Sequence, residues 1–322
     1  MIGDLEKHLK AAWERRKTYI NTGGLEAYRL ATREELAEEM AVDVYGENAV
    51  FQLYDDWVSR AFQAELENLL SQEFRLKKFF YKKRFRVKDA PEAGGDLKAE
   101  PFELEVKEYG HKFIVNLSNY LDSGLFLDHR ETRRRVKQMT ESFAAMRGRG
   151  AQVLNLFAYT GSFSVYAAAG GAEMTHTVDL SKTYCDWARR NLELNGFSKE
   201  QNWVYRMDTF EFYKYAKRKG MKFDIIVIDP PTFSRNKGSI FSVQKDHIAL
   251  IEEAGDLLND GGQIIFSNNC LEFVMEEKLK QEFLIKDIQH ETVPLDFWID
   301  TQKADFWNQG KQIHNCFLIT KK

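Results

Sequence analysis

The chain has 322 residues, 43% hydrophobic and 30% charged, with 46 Lys and Arg against 49 Asp and Glu for a formal charge of −3. That composition suits one large globular domain with a smaller companion, and the slight acidity excludes a nucleic-acid partner held by overall charge, leaving local patches to do so. Three scattered cysteines make no disulfide framework and no CxxC pair, and neither a leader nor an apolar run of about 18 residues stands out, so a reducing, cytoplasmic setting without metal or membrane is expected.

Residues 1–121 read as an α+β unit. Leu5, Leu9 and Trp13 recur at helical spacing over residues 4–20, and Asn21-Thr22-Gly23-Gly24 ends that helix. AVDVYGENAVFQLYD (41–55) predicts a hairpin turning at Gly46-Glu47-Asn48, with a helix over about 56–71 to follow. RLKKFFYKKRFRVK (75–88) then carries eight basic residues and no acid, with aromatics interleaved. Lys82, Lys83, Arg84 and Arg86 could track phosphates there while Phe and Tyr stack bases; a solvated strand with its aromatics turned inward would leave the same pattern. After the loop DAPEAGGD (89–96), FELEVKEYGHKFIVNL (102–117) reads as a second hairpin turning near Tyr109-Gly110.

Residues 122–322 change to strand–helix alternation. A helix is expected to start after Asp128 as N-cap and run to about Met146, with Arg133-Arg134-Arg135 on it as a second basic cluster or a plain solvated face. Short apolar strands follow at QVLNLF (152–157), MTHTVDL (174–180), WVYRM (203–207), FDIIVID (223–229) and QIIFSN (263–268), separated by helices near 162–169, 182–195, 209–219 and 245–259. A helix near 272–281, LIKDIQ (284–289) and IHNCFLIT (313–320) complete the set. This is the pattern of an α/β fold with a Rossmann-like parallel sheet.

Ligands of such sheets bind beyond the carboxyl ends of the strands, and four ends here carry chemistry. The first strand runs into a turn with Gly161 and a helix opening at Ser162, which sets N–H groups and a positive helix end against an anionic group. One glycine is not GxGxxG, so a carboxylate suits this turn better than a pyrophosphate; a plain tight turn is the alternative. Asp179, about 20 residues on, can accept from two ribose hydroxyls, or cap the following helix. Asp208 can receive an adenine amine, or cap the helix from Thr209.

The fourth end is IIVIDPPTFSRNK (225–237), where two of the chain's five prolines follow an acid. Proline fixes φ and lacks an N–H, so Asp229-Pro230-Pro231 stops the strand and holds rigid acceptors beside a carboxylate. That is what the edge of a planar, nitrogen-rich substrate requires, with Phe233 available to stack on it. An acid-capped strand exit is the simpler possibility.

GLFLDHRETRRR (124–135), NLFAYTGS (155–162), TVDLSKTYCDWARRNLELNG (177–196), IDPPTFSRNK (228–237), FSVQKDH (241–247), FSNN (266–269) and QIHNCFLIT (312–320) together resemble a class I S-adenosylmethionine-dependent methyltransferase. The closer resemblance is to the guanine-N7 half of the bacterial large-subunit rRNA methyltransferase K/L family, while the upstream RNA-binding module and second methyltransferase of the bifunctional relatives are missing. The resemblance implies a seven-stranded sheet, S-adenosylmethionine as cofactor, and 23S ribosomal RNA or a ribosomal particle as partner. It assigns Phe157, Tyr159, Thr160, Gly161 and Ser162 to the methionine end of the cofactor. Asp179 with Leu180 and Ser181 would take the ribose, Met207 and Asp208 the adenine, and Asp229-Pro230-Pro231 with Phe233 the target base, with Asp229 also bordering the cofactor. Asp128 and Arg130 would sit over the cofactor cleft.

Guanine N7 has a free lone pair, so in-line transfer to it needs alignment and no general base. Cytosine C5 would need a cysteine to attack C6 first, and Cys270 lies two positions beyond Asn268, where related enzymes carry that nucleophile. The remaining alternatives are a nucleotide-dependent oxidoreductase on the same sheet and an RNA-binding module with a decayed site.

Overall fold

The computed structural model describes residues 2–36, 39–55, 59–84, 100–236, 239–270, 272–298 and 313–322. The chain divides into two compact units, Met1–Leu127 with Pro294–Lys303 and Asp128–Val293 with Ala304–Lys322. The first unit therefore runs to 127, and a late segment of the chain returns to it.

In the first unit, α1 (Ile2–Gly23) buries Leu5, Leu9, Ala12 and Ile20, a stripe at helical spacing. Four strands form one sheet in the order β1 (Ala27–Ala31), β2 (Met40–Tyr45), β3 (Asn48–Leu53) and β4 (Lys78–Lys83). The short α2 (Arg33–Leu36) joins β1 to β2, and α3 (Arg60–Phe74) carries the chain across to β4, which is parallel to β3. Ser59 starts α3 by accepting a hydrogen bond from Phe62 N, later than the helix start near 56 read from sequence. Tyr45 pairs with Asn48, so the first hairpin turns on Gly46-Glu47 alone. β5 (Glu103–Glu108) and β6 (His111–Asn116) form the second hairpin, with Tyr109 and Gly110 both at positive φ as a two-residue primed turn requires.

The second unit runs α4 (Arg130–Arg147), β7 (Gln152–Leu156), α5 (Ser162–Ala169), β8 (Met174–Asp179), α6 (Lys182–Leu194), β9 (Asn202–Arg206), α7 (Thr209–Lys219) and β10 (Phe223–Ile228). It continues through β11 (Phe233–Asn236), β12 (Ser239–Ser242), α8 (Val243–Gly255), β13 (Leu258–Asn268), β14 (Phe283–Asp287), α9 (Gln289–Thr292) and β15 (Asn315–Lys321). Seven strands make one sheet in the order β14-β15-β13-β10-β7-β8-β9, with β15 antiparallel to both its neighbours and β13 through β9 parallel. β10 explains why the apolar run before Asp229 is unbroken. Ile226 and Ile228 pack into one face of the core with Leu154 and Phe266, while Ile225 and Val227 pack into the other with Val136 and Phe163.

One reading of the sequence is corrected here, and one element is added to it. The expected helix near 272–281 is only a 3₁₀ turn, Glu277–Gln281, because α8 takes the backbone before it. Gln244 donates to Val274 O and accepts from Val274 N, each at 2.9 Å, and His247 Nε2 accepts from Glu276 N, so the Val274 carbonyl and the Glu276 N–H that a helix would use are already taken. The β11–β12 hairpin, directly after the prolines, was not anticipated at all.

Candidate active site

The carboxyl ends of β13, β10, β7 and β8 form one row, since Phe266, Ile228, Leu156 and Val178 are successive register partners. The chain builds outward from β7 through β8 to β9, then returns to the other side of β7 with β10. Such a switch in strand order opens a crevice beyond the strand ends.

After β7 the backbone turns through Phe157 (φ 54°), Tyr159 (φ 51°) and Gly161 (φ 75°). Non-glycine residues seldom adopt positive φ, so this turn is imposed by its surroundings. Tyr159 N donates to Asp179 Oδ2 at 2.9 Å, and Ala158 N to the Val178 carbonyl at 3.0 Å. Gly161 caps α5, and a Cβ on it would lie 2.8 Å from the Ala188 Cβ, so both its φ and its closeness to α6 demand glycine. Thr160 is buried, its carbonyl accepting from Asn191 Nδ2.

Asp179 is not the cap of α6. Ser181 is, with its Oγ accepting from Tyr184 N. The Asp179 oxygens accept from Ser181 N at 2.8 Å and Tyr159 N at 2.9 Å, leaving a further lone pair on each. Burial pushes its carboxyl above the usual range, against the pull of those two N–H groups. Leu180 beside it is exposed. Asp208 does cap its helix: Oδ1 accepts from Phe210 N and Glu211 N at the start of α7. Met207, half-buried, donates its N–H to the Asp179 carbonyl.

Beyond β10, Ser267 Oγ donates to Asp229 Oδ1 at 2.7 Å; Pro230 is buried and Pro231 exposed. The β11–β12 register puts Phe233 and Ile240 on one face, 51% and 68% exposed, while Phe241 on the other face packs 5.6 Å from the Phe157 ring.

Asp128 is a correction. It lies in a 3₁₀ turn, Leu127–His129, and α4 starts at Arg130 with no side-chain cap bond. Its carboxylate is instead buried, with Oδ2 3.5 Å from His314 Nδ1, 3.8 Å from His129 Nε2 and 3.4 Å from Asn269 Nδ2. Burial alone would raise this carboxyl, but the two imidazoles outweigh it and hold it well below the usual range. His129 Nε2 is also 3.7 Å from Asp229 Oδ1, and the two imidazoles stack with centroids 4.5 Å apart and planes 15° apart. Asp128, His129 and His314 bring three ligand atoms within 4.8 Å of one another. Imidazole binds an ion in its own plane, however, and rings stacked this nearly parallel cannot both do so for one ion. Arg130 is wholly buried. Neither histidine carries a signal of its own in FLDHR or QIHNCFLIT; only the fold brings His314 to His129.

The basic residues are divided between buried and exposed positions. Lys82 is 3% exposed and donates to the Ser118 and Tyr120 carbonyls, and desolvation lowers its ammonium to about 8. Arg84 pairs with Asp122 at 2.6 Å and donates to Gln52. Arg133 is 1% exposed, whereas Arg134 is exposed beside Glu131 and Lys83 is exposed. Arg86 lies outside the described residues.

The fold and this row of acids define a class of protein, and the comparisons agree. The chain belongs to the S-adenosylmethionine-dependent methyltransferase family, whose sequence model matches residues 70–304. It is 38% identical over 336 residues to ribosomal RNA large subunit methyltransferase K of Neisseria meningitidis serogroup B, covering 100% of this chain and 86% of that protein. It is 39% identical over 308 residues to ribosomal RNA large subunit methyltransferase K/L of Vibrio campbellii, covering 92% of this chain and only 40% of that protein. The crystal structure of SMU.776 complexed with SAH superposes with a TM-score of 0.80 at 28% identity, covering 100% of this chain and 82% of that one. The cofactor is S-adenosylmethionine, and the oxidoreductase alternative is set aside. No helix among the described residues is long and apolar enough to cross a membrane.

Proposed function

We propose that this enzyme methylates N7 of a guanine in 23S ribosomal RNA, free or within a ribosomal particle, in the cytoplasm. The observation that carries the reading is Asp229-Pro230-Pro231 at the end of β10, next in the sheet to the strained turn after β7. The relatives named for large-subunit rRNA support the substrate class.

S-adenosylmethionine supplies a methyl group on a sulfonium sulfur; the protein's own residues hold and align. The turn Phe157–Ser162 suits the methionine end, with the amides opening α5 offered to its carboxylate. Asp179 retains lone pairs for the ribose hydroxyls, although two backbone N–H groups already fix it. Asp208 and Met207 border the adenine, Asp208 through the oxygen its helix cap does not use. Asp128 and Arg130 are buried, so their part is to shape the cleft rather than to cover it.

Guanine N7 attacks with its free lone pair, and the imidazole ring of the base gains positive charge. A carboxylate at Asp229, held on Oδ1 by Ser267, offsets that charge without any proton transfer. Phe233 stacks on the base while Pro230 and Pro231 keep the acceptor edge rigid. Residues 1–121 would help position RNA; of the basic candidates, Lys83 in that stretch and Arg134 in α4 are exposed and would meet phosphate, and burial withdraws Lys82 and Arg133.

The test is the product. Labelled 23S rRNA digested to nucleosides should yield N7-methylguanosine; C5-methylcytidine, or methyl on an exocyclic amine, would replace this reading.

A further inference from the structure

Between the acid of the FLDHR stretch and the acid of Asp-Pro-Pro stands one buried nitrogen. His129 Nε2 lies 3.8 Å from Asp128 Oδ2 and 3.7 Å from Asp229 Oδ1, and it has no hydrogen-bond partner although the residue is 1% exposed. A bare lone pair facing two carboxylates would be repelled by both, so that nitrogen carries the ring's hydrogen. The other side of the ring agrees: Thr132 Oγ1 sits 3.5 Å from His129 Nδ1, where a hydroxyl can donate.

The ring is also held in place. His314 stacks against it, and Phe163 meets it edge-on with centroids 6.0 Å apart. His314 is itself anchored. Its Nε2 lies 3.1 Å from Thr292 Oγ1 and its Nδ1 3.5 Å from Asp128 Oδ2, where the same repulsion places the ring hydrogen on Nδ1. Seated in this way, His129 has one direction in which to present its N–H.

We propose that His129 is a positioning residue for methyl transfer, its Nε2–H bridging Asp128 and Asp229 so that Asp229 Oδ1 is fixed from behind by His129 and Ser267 while Oδ2 is left for the target base. Distances of 3.7 and 3.8 Å are longer than a formed hydrogen bond, and a bridge of this kind closes when substrate settles against Asp229. An unheld Asp229 carboxylate would rotate, and misplacement of about 1 Å at such a site costs on the order of 100-fold in rate. This inference rests on the methyltransferase reading of the same site but not on which base is modified.

The test compares His129→Leu with His129→Gln in the full chain, both verified as folded by circular dichroism and thermal unfolding. The glutamine amide nitrogen can reach the position of Nε2; leucine fills the space without an N–H. Total methyl transferred to 23S rRNA is counted whatever base carries it, so a wrong target shows in the wild-type product and leaves the comparison intact. The expected result is a fall in kcat of about 100-fold for leucine, recovery to within about tenfold for glutamine, and cofactor affinity nearly constant. A second arm needs no RNA: long-range proton–nitrogen spectra of ¹⁵N-histidine protein should place the His129 hydrogen on Nε2. Asp229→Asn should move that resonance and leave His176 unmoved. Wild-type rate in the leucine variant, equal losses in both variants, a hydrogen on Nδ1, or no response to Asp229→Asn would each overturn the proposal. Should wild type transfer no methyl to rRNA at all, the substrate reading fails and the spectra alone decide this one.

Discussion

Tyr159 donates its backbone N–H to Asp179 Oδ2 at 2.9 Å, so the left-handed turn after β7 and the acid closing β8 hold each other. Ser181 N occupies Oδ1 of the same carboxylate. Asp179→Asn keeps the shape but has one acceptor oxygen where two N–H groups arrive, so one of them would face an NH₂ group. Stability should fall by about 1–3 kcal/mol in denaturant unfolding. The turn should loosen with it, and calorimetry should show cofactor binding weakened by about tenfold or more. Undiminished cofactor affinity would mean that Asp179 serves the turn alone.

Gly161 tests the same turn from its other end. At φ 75° any side chain is strained, and a Cβ would also meet Ala188 at 2.8 Å, with the Ala188 Cα at 3.3 Å behind it. Gly161→Ala should therefore destabilise by about 1–3 kcal/mol and shift α5 away from α6. Adding the product S-adenosylhomocysteine should raise the melting temperature of wild type more than that of the variant. An equal shift would show that the turn makes no cofactor contact.

Much of this site was legible because its signals are local. Short apolar runs alternating with helices fix the parallel sheet, and Ser162, Lys182 and Thr209 open helices where the pattern placed them. Strand ends in such a sheet fall together, so Asp179, Asp208 and Asp229 group from the sequence alone. What escaped notice depends on distant partners. Asp128 looks like a helix cap until His314, far along the chain, is folded against it. Lys82 looks like a phosphate contact until the Ser118 and Tyr120 carbonyls claim its ammonium. The β11–β12 hairpin is four polar-rich residues a side and leaves no periodic trace, and the segment near 272–281 scans as a helix only while Gln244 is out of sight.

His176 predicts a pH dependence of stability. It is buried on β8, its ring stacked with Tyr205, and desolvation lowers its pKa to about 4 from 6.5. The unfolded chain therefore binds a proton that the folded chain refuses between those values. Stability from this group is complete above the unfolded value and is lost as pH falls toward about 4, on the order of 3 kcal/mol across the window. Denaturant midpoints measured from about pH 7 down to pH 4 should decline, and His176→Gln should flatten the decline. An unchanged slope would place the acid sensitivity in other groups.

Phe233 and Ile240 share the outward face of the β11–β12 hairpin directly after the prolines. If Phe233 stacks on the target base, Phe233→Ala should remove about 1–3 kcal/mol of RNA interaction, seen as a drop of about 10- to 100-fold in kcat/KM for RNA. Cofactor affinity should not move, because Phe233 is not among the residues proposed to hold the cofactor. The Phe241 ring, turned inward against Phe157, keeps the hairpin seated in the variant. A loss in cofactor binding instead would assign Phe233 to the fold of the crevice.

Cys270 separates the two chemistries open to a base methyltransferase. Methylation of cytosine C5 requires a thiolate to bond to C6, and a serine in its place would stop the reaction. Cys270 lies just beyond β13 with its backbone fastened, its N–H donating to Asn268 Oδ1 at 3.0 Å and its carbonyl accepting from Asn315 Nδ2 at 2.8 Å. Asn268, at the end of the strand, is wholly buried. Guanine N7 asks nothing of a thiol, so Cys270→Ser should transfer methyl at the wild-type rate, and no covalent protein–RNA adduct should survive denaturation. A variant that is folded, binds cofactor and is inactive would transfer the role to Cys270, and with it the target from a purine nitrogen to a pyrimidine carbon.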